Sequence, residues 1–320
     1  MRKIYILSLI LLLWAIPVFG ANTHSISLVK TSEQYLSITD ADQTGLGITT
    51  DFTVEAWIKI SQLPSGGAGV FMIITKGYAT DSHYVFFLEG DDTIHIHYQN
   101  SSSRTKLRTT TVLDNDDLNK WIHIAAAVDI SDKSCVFYIN GVSENSVREQ
   151  GDTTTIGDNS YPFLIGAQQY NSIIREFDGL IDEARVWNDI RTSQEISDNY
   201  EKEITGSEDN LVGYWKLNNS LLDETSNDND LTNNNSCTFN VDVPGVTDTC
   251  TPTLDGVWKM DLQDHCTTTV STYSDYGMEC YNQAGGSWVI GANTEVRRGS
   301  STNCLPQIEG TGVFSIQPIH

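Results

Sequence analysis

Phe52-Thr-Val-Glu-Ala-Trp-Ile-Lys-Ile60 decides the fold class, because its apolar residues repeat with period two. Phe52, Val54, Ala56, Ile58 and Ile60 share one face, as a strand packed against a second layer requires. Ile94-His-Ile-His-Tyr98 alternates in the same way. Trp121-Ile-His-Ile-Ala-Ala-Ala-Val-Asp129 and Cys135-Val-Phe-Tyr-Ile139 form a further strand pair around an acidic turn. Asn140-Gly141 is a tight-turn dipeptide that ends the second of these. Repeated short strands with few helices predict an all-β protein of two packed sheets. One helix is expected, where Thr192-Ser-Gln-Glu195 matches a capping box and Ile196 and Tyr200 give a single apolar stripe. It should lie across one end of the sandwich.

The chain has 320 residues, with 19 Lys plus Arg against 42 Asp plus Glu, a net charge of −23. Such a surface repels phosphate backbones and anionic lipids, which argues against nucleic-acid partners and membrane-surface binding. Arg2 and Lys3 precede an apolar run from Ile4 to Ile16, and Pro17-Val-Phe-Gly20 offers a processing site. The run is too short and wrongly flanked to span a bilayer, so membrane insertion is not expected. Residues 1–20 read as a signal peptide; removing Arg2 and Lys3 leaves 17 basic against 42 acidic side chains, or −25. The expected location is secreted, extracellular or in the cell envelope.

Residues 21–244 carry the strand pattern, with a polar tract at Asp223 to Asn235 and a last strand around Cys237 to Val243. Residues 245–320 are expected to form a small cysteine-rich β domain. Its four cysteines, Cys250, Cys266, Cys280 and Cys304, should pair among themselves in one of three connectivities. Cys135 shares a strand face with Phe137 and Ile139 and points inward. Either it bridges to Cys237, or it is a buried free thiol.

Four segments, in order, resemble the LamG-like jelly-roll domains of the concanavalin A-like lectin/glucanase superfamily. They are Gln34-Tyr-Leu-Ser-Ile38, Asp51-Phe-Thr-Val-Glu-Ala-Trp57, the pair Trp121 to Ala125 with Phe137-Tyr-Ile-Asn-Gly141, and Phe177-Asp-Gly-Leu-Ile-Asp-Glu-Ala-Arg-Val-Trp187. The last is followed by the capped helix and Leu211-Val-Gly-Tyr-Trp-Lys-Leu217. The resemblance covers about residues 22–244 and implies a curved two-sheet jelly roll, used mostly as a binding module outside cells. Its ligand depends on the loops.

Glucanases of that superfamily carry a Glu-x-Asp-x-x-Glu strand motif, and none occurs here. Glu176-Phe-Asp178 begins like it, but Ile181 stands in place of the second Glu. The chain is therefore read as non-catalytic, recognising glycans or extracellular proteins through loops at the sandwich edge. A structural or adhesive surface protein, with the jelly roll as spacer, is the alternative, and a polysaccharide hydrolase is the remote one. Tyr170, flanked by Gln168, Gln169 and Asn171, is the first candidate sugar platform, with Tyr161 and Tyr78 behind it. Trp57, Trp121, Trp187 and Trp215 fall in strands and read as packing. His95 and His97 project to one side of a strand; a metal pair and an ordinary strand face are both readings. Glu55 and Arg185 should form a cross-strand ion pair contributing roughly 0.2–1 kcal/mol. By the family match, Asp182 is the expected side-chain ligand of a structural calcium ion, and Asp178 the second candidate.

Overall fold

The structure, a computed structural model, describes residues 22–245 apart from 68, 78–83, 158 and 170. Beyond them it describes the backbone of 258–261, 267–268, 278–281 and 289–290. In chain order the first strands are β1 (Ser25–Leu28), β2 (Tyr35–Ile38), β3 (Phe52–Ile60), β4 (Phe71–Lys76), β5 (Tyr84–Leu88) and β6 (Thr93–Gln99). Then come β7 (Arg104–Val112), β8 (Ile122–Asp129), β9 (Ser134–Ile139), β10 (Val142–Glu144), β11 (Ser146–Gln150) and β12 (Phe163–Ile165). A short hairpin, β13 (Gln168–Gln169) and β14 (Ile173–Ile174), precedes β15 (Gly179–Trp187) and the helix α1 (Ser193–Asn199). The body closes with β16 (Leu211–Trp215), β17 (Thr232–Asn234) and β18 (Thr238–Asn240).

Sixteen of these strands make two antiparallel sheets. The first runs β10-β9-β8-β3-β15-β1-β18, with β16 also on β15; the second runs β11-β7-β6-β5-β4-β12-β2-β17. Alternation fills the space between them. Phe52, Val54, Ala56 and Ile58 of β3 face Phe86 of β5, Ile94 and Ile96 of β6 and Phe163 of β12 across one continuous core. This is the two-sheet jelly roll expected from the sequence.

Local chemistry explains several departures from expectation. The capping box of α1 is present, with Thr192 Oγ1 accepting from the Glu195 N–H at 3.2 Å and Glu195 Oε2 accepting from the Thr192 N–H at 2.8 Å. The helix does not lie across one end of the sandwich: Ile196 packs on Ala125, Ala127 and Tyr138, on the outer face of the first sheet. That face carries small alanines, which leave room for a helix. Asn140 and Gly141 both have positive φ, 48° and 74°, as a two-residue hairpin turn between β9 and β10 requires. A Cβ at Gly141 would stand 2.6 Å from the Tyr200 ring, so the turn also needs glycine for space.

The tract from Asp223 to Asn235 is an ordered, partly buried corner rather than a plain polar loop. Asp223 accepts from the N–H groups of Tyr214, Thr225 and Asn229, while the Asn229 amide donates to the carbonyls of Thr44 and Val212. Its far end forms β17 on β2, and the last strand is shorter than expected, ending at Asn240.

Cys135 and Cys237 are buried free thiols, so the bridge considered between them is not made. Cys135 lies on β9 and Cys237 directly before β18, toward opposite edges of the first sheet, with β8, β3, β15 and β1 between. At about 4.8 Å per strand that is on the order of 20 Å, far beyond disulfide reach. Burial pushes both thiols up. Neither should react with a thiol reagent in the native protein, and both should after denaturation; native labelling at either would contradict this packing. The pairing expected for Cys250, Cys266, Cys280 and Cys304 lies outside the described side chains.

Candidate functional site

On the outer face of the second sheet the sequence pattern builds a groove. Alternation on β5, β6 and β7 sends one set of residues into the core and the other outward. Register then aligns the outward set in rows: Phe87 with His95 and Arg108, Val85 with His97 and Lys106, and Gln99 with Arg104. Met72 of β4 sits opposite Phe87. The β13–β14 hairpin borders this face through Gln168, whose amide donates to the Gly77 carbonyl at 3.3 Å. The result is a groove of about 190 Å³, lined by Met72, Val85, Phe87, Glu89, His97, Gln99, Arg104, Lys106, Gln168 and Arg175 among others.

Two features set this groove apart from an ordinary sheet face. His97 and Gln99 are 6% and 3% exposed, yet His97 Nε2 and Gln99 Oε1 have no hydrogen-bond partner. A buried polar atom left unpaired costs about 1–3 kcal/mol. The second feature is charge. Burial, then the neighbouring His95, Lys106, Arg104 and Arg175, drive the His97 imidazole down to about 2, so it is neutral at any physiological pH. Phe87 packs against both imidazoles, with centroids 5.2 Å from His95 and 4.7 Å from His97. His95 is held by Thr93 Oγ1 at 2.8 Å and Asp91 Oδ1 at 3.4 Å. Among the described residues no group of three His, Cys, Asp or Glu side chains is placed to hold a metal ion.

A second polar assembly lies on the outer face of the first sheet, under α1. Glu55 of β3 and Arg185 of β15 are direct cross-strand partners, Oε1 to Nη1 3.6 Å. They are not a surface pair: Glu55 also accepts from His123 Nε2 at 3.1 Å and Trp187 Nε1 at 2.9 Å, and all four side chains are buried. Arg185 Nη2 reaches Glu183 Oε2 at 2.8 Å, and Tyr214 donates to the same oxygen at 2.6 Å. Burial pushes Glu55 up, but Arg185, His123 and Trp187 outweigh it and hold the carboxyl at about 2. For Glu183 burial prevails over Arg185 and Tyr214, raising it to about 7.

Asp182 stands beside this network. A β-bulge at Glu183, whose φ is 49°, puts three steps of β15 opposite two of β3. Asp182 therefore pairs with Trp57 on the outer side, not inward with Ala184 and Val186 as unbroken alternation predicts. Its carboxylate accepts from Asn22 Nδ2 at 2.8 Å and from the Glu183 N–H at 3.0 Å. Burial and then the adjacent Glu183 push it well above the usual carboxylate range. Asp178 uses its oxygens differently, accepting from the Lys30 N–H at 3.1 Å and the Gln62 amide at 3.3 Å.

Of the three tyrosines chosen from sequence, Tyr78 and Tyr170 lie outside the described residues. Tyr161 is half-buried; its carbonyl accepts from Lys76 Nζ and its N–H donates to Asn159 Oδ1, and it does not line the groove. Trp57, Trp187 and Trp215 are buried packing residues, and Trp121 is anchored to Asp242 through its indole N–H at 2.8 Å. The sequence reading missed Arg104-Thr-Lys-Leu-Arg108. Three cations at period two in so acidic a chain were the available signal.

A family model, Laminin_G_3 of the concanavalin A-like lectin/glucanases superfamily, matches residues 30–197, just over half of the chain. The chain belongs to that family. Among solved structures, the Laminin_G_3 chain is similar to a candidate carbohydrate-binding protein from Bacteroides ovatus, at 19% identity and a TM-score of 0.53. The match covers 68% of this chain and 60% of the Bacteroides protein, so the chain spans about three fifths of that relative's length. A heptameric SAP-like pentraxin from Limulus polyphemus matches at 14% identity and a TM-score of 0.48, covering 70% of this chain and 97% of the pentraxin. The CBM40 of a Ruminococcus gnavus IT-sialidase matches at 12% and 0.43, covering 56% and 98%. At these identities the likeness is one of fold. No curated protein matches the chain.

Proposed function

We propose that this Laminin_G_3 protein is an exported, non-catalytic module that binds a glycan in the groove on the second sheet. The observation that carries the reading is the pair of unpartnered buried atoms, His97 Nε2 and Gln99 Oε1, beside an apolar floor of Phe87, Met72 and Val85. A sugar presents both complements, hydroxyls for the polar atoms and C–H faces for the floor. Among the described residues Glu89 is the one carboxylate in the lining, whereas glycoside hydrolysis uses two flanking the bond. In this reading the site lies on a sheet face beside the β13–β14 hairpin, whereas the sequence reading looked to the edge loops. A glycan array with the protein, followed by titration of its best probe, tests this. His97→Ala with Gln99→Ala should weaken binding about 5- to 150-fold, at roughly 0.5–1.5 kcal/mol for each of two hydrogen bonds. A blank array would contradict the reading and favour the spacer role, whereas full affinity in the double variant would put the glycan outside this groove.

The donor chemistry around Asp182 fits the calcium ion implied by the resemblance. Asn22 Oδ1 is a buried oxygen without a partner, and Asp182 has no cationic partner among the described residues. Asp182 and Asn22 would hold a calcium ion with hard oxygens, tying the chain start to β15. Asp178, already holding Lys30 and Gln62, is the weaker ligand. Calcium at a hundred times its Kd should stabilise the protein by about 2.7 kcal/mol, read as a higher Tm than in chelator. Asp182→Asn should abolish that difference. Equal melting of the parent with and without calcium would count against the site.

A further inference from the structure

We propose that the groove takes an acidic sugar, a single ring carrying a carboxylate or sulfate, with the anion held by Arg104, Lys106 and Arg175. The inference rests on the glycan reading above and narrows its ligand class. Its basis is how the chain distributes its charge. Acidic side chains outnumber basic ones 42 to 19, so partners for cations are abundant. Neighbouring Arg108 uses them, with Glu149 at 2.6 Å and Asp91 at 3.9 Å. Lys59, Arg185, Arg191 and Lys216 are likewise paired. Arg104, Lys106 and Arg175 all line the groove, and none has a carboxylate within salt-bridge distance among the described residues. Three unpaired cations thus converge on the same small volume as the two unpartnered buried atoms of His97 and Gln99.

Arg175 adds a geometric argument. Its backbone adopts φ 59°, the left-handed region that non-glycine residues usually avoid, and its carbonyl is fixed by the Met72 N–H at 3.1 Å. Strained conformations of this kind persist where the surroundings enforce them, often at binding sites. Here the strain turns the chain at the end of β14 so that the guanidinium borders the groove. Nη1 donates to Gln168 Oε1 at 3.0 Å, leaving the other donors of its fork for a ligand. Size favours one ring: about 190 Å³ is below the roughly 300–1,000 Å³ of sites for drug-sized molecules. Charge favours it too. The remaining surface is strongly acidic and repels a long polyanion, while a single acidic sugar at the end of a neutral chain meets only the groove.

The test is equilibrium binding of the full chain to a galactose-terminated oligosaccharide and to the same oligosaccharide capped with glucuronate, sialic acid or sulfate. At least one capped probe should bind tenfold or more tightly than the uncapped one, and weaken as salt rises from 50 to 500 mM. Arg104→Gln and Lys106→Gln should each reduce that affinity about tenfold with unchanged Tm, while Arg108→Gln stays within twofold of the parent. Equal binding of capped and uncapped probes, both weakened by His97→Ala, would overturn the acidic preference and leave the glycan reading standing. Binding of no probe, with a blank array, would overturn both.

Discussion

Replacing Arg185 with methionine is expected to lower the unfolding free energy by about 3–5 kcal/mol, the usual cost of removing one partner from a buried ion pair. The guanidinium is 1% exposed and neutralises two buried carboxylates, Glu55 and Glu183. Methionine fills much of the volume but leaves both acids without their cation. The acid limb of the stability curve should move as well. Glu55 is held at about 2 against an ordinary 4.5. A depressed carboxyl stabilises the fold above its unfolded pKa and loses that contribution as pH falls through the folded value. Parent stability should therefore decline from about pH 4.5 toward pH 2, and in Arg185→Met, where burial of Glu55 is no longer offset by its cation, that decline should shrink or reverse. Urea unfolding at pH 7 and pH 3 reads both effects. A loss below about 1 kcal/mol would place the pair in the range first expected for an exposed cross-strand contact.

Trp215→Ala should cost about 3–5 kcal/mol, the range for deleting a fully buried aromatic side chain. Trp215 belongs to β16 of the first sheet, yet its indole stacks on Phe163 of β12 in the second, centroids 5.1 Å apart and planes at 26°. Its N–H donates to the Asn229 carbonyl at 2.8 Å, inside the corner built by Asp223. The substitution thus opens a cavity between the sheets and strips a buried carbonyl of its donor. Trp215→Phe should recover the stacking but not the hydrogen bond, and fall between the two. Full stability in Trp215→Ala, measured by denaturant unfolding, would show that the sheets are not held at this point.

The fold was legible because its signals are local. Alternation in Phe52–Ile60, the Asn140-Gly141 turn and the Thr192 capping box each depend on a few neighbouring residues, and each is present in the structure. The side of the sheet on which Asp182 lies was not legible, because a single bulge residue, Glu183, shifts the phase of β15, and alternation cannot anticipate that shift. The Glu55–Arg185 pairing was visible, but its burial under α1 was not, and burial turns a weak contact into a costly one to break. The groove was the hardest feature to foresee. It is assembled from β4, β5, β6 and β7 and the segment around β14, and its lining comes together only when register lines up Val85, His97 and Lys106. His95 and His97 drew notice as a pair of ligands; their neighbours in space, Phe87, Arg104 and Arg175, were distant in sequence and went unread.

Whether this groove is the ligand site is tested most directly by a crystal structure of the full chain with the tightest-binding acid-capped oligosaccharide. The expected result is a sugar ring over Phe87, with its anion facing Arg104, Lys106 and Arg175 and a hydroxyl on His97 Nε2 or Gln99 Oε1. A ligand seated elsewhere, for instance on the loop around Tyr161, with the groove free of sugar, would contradict it.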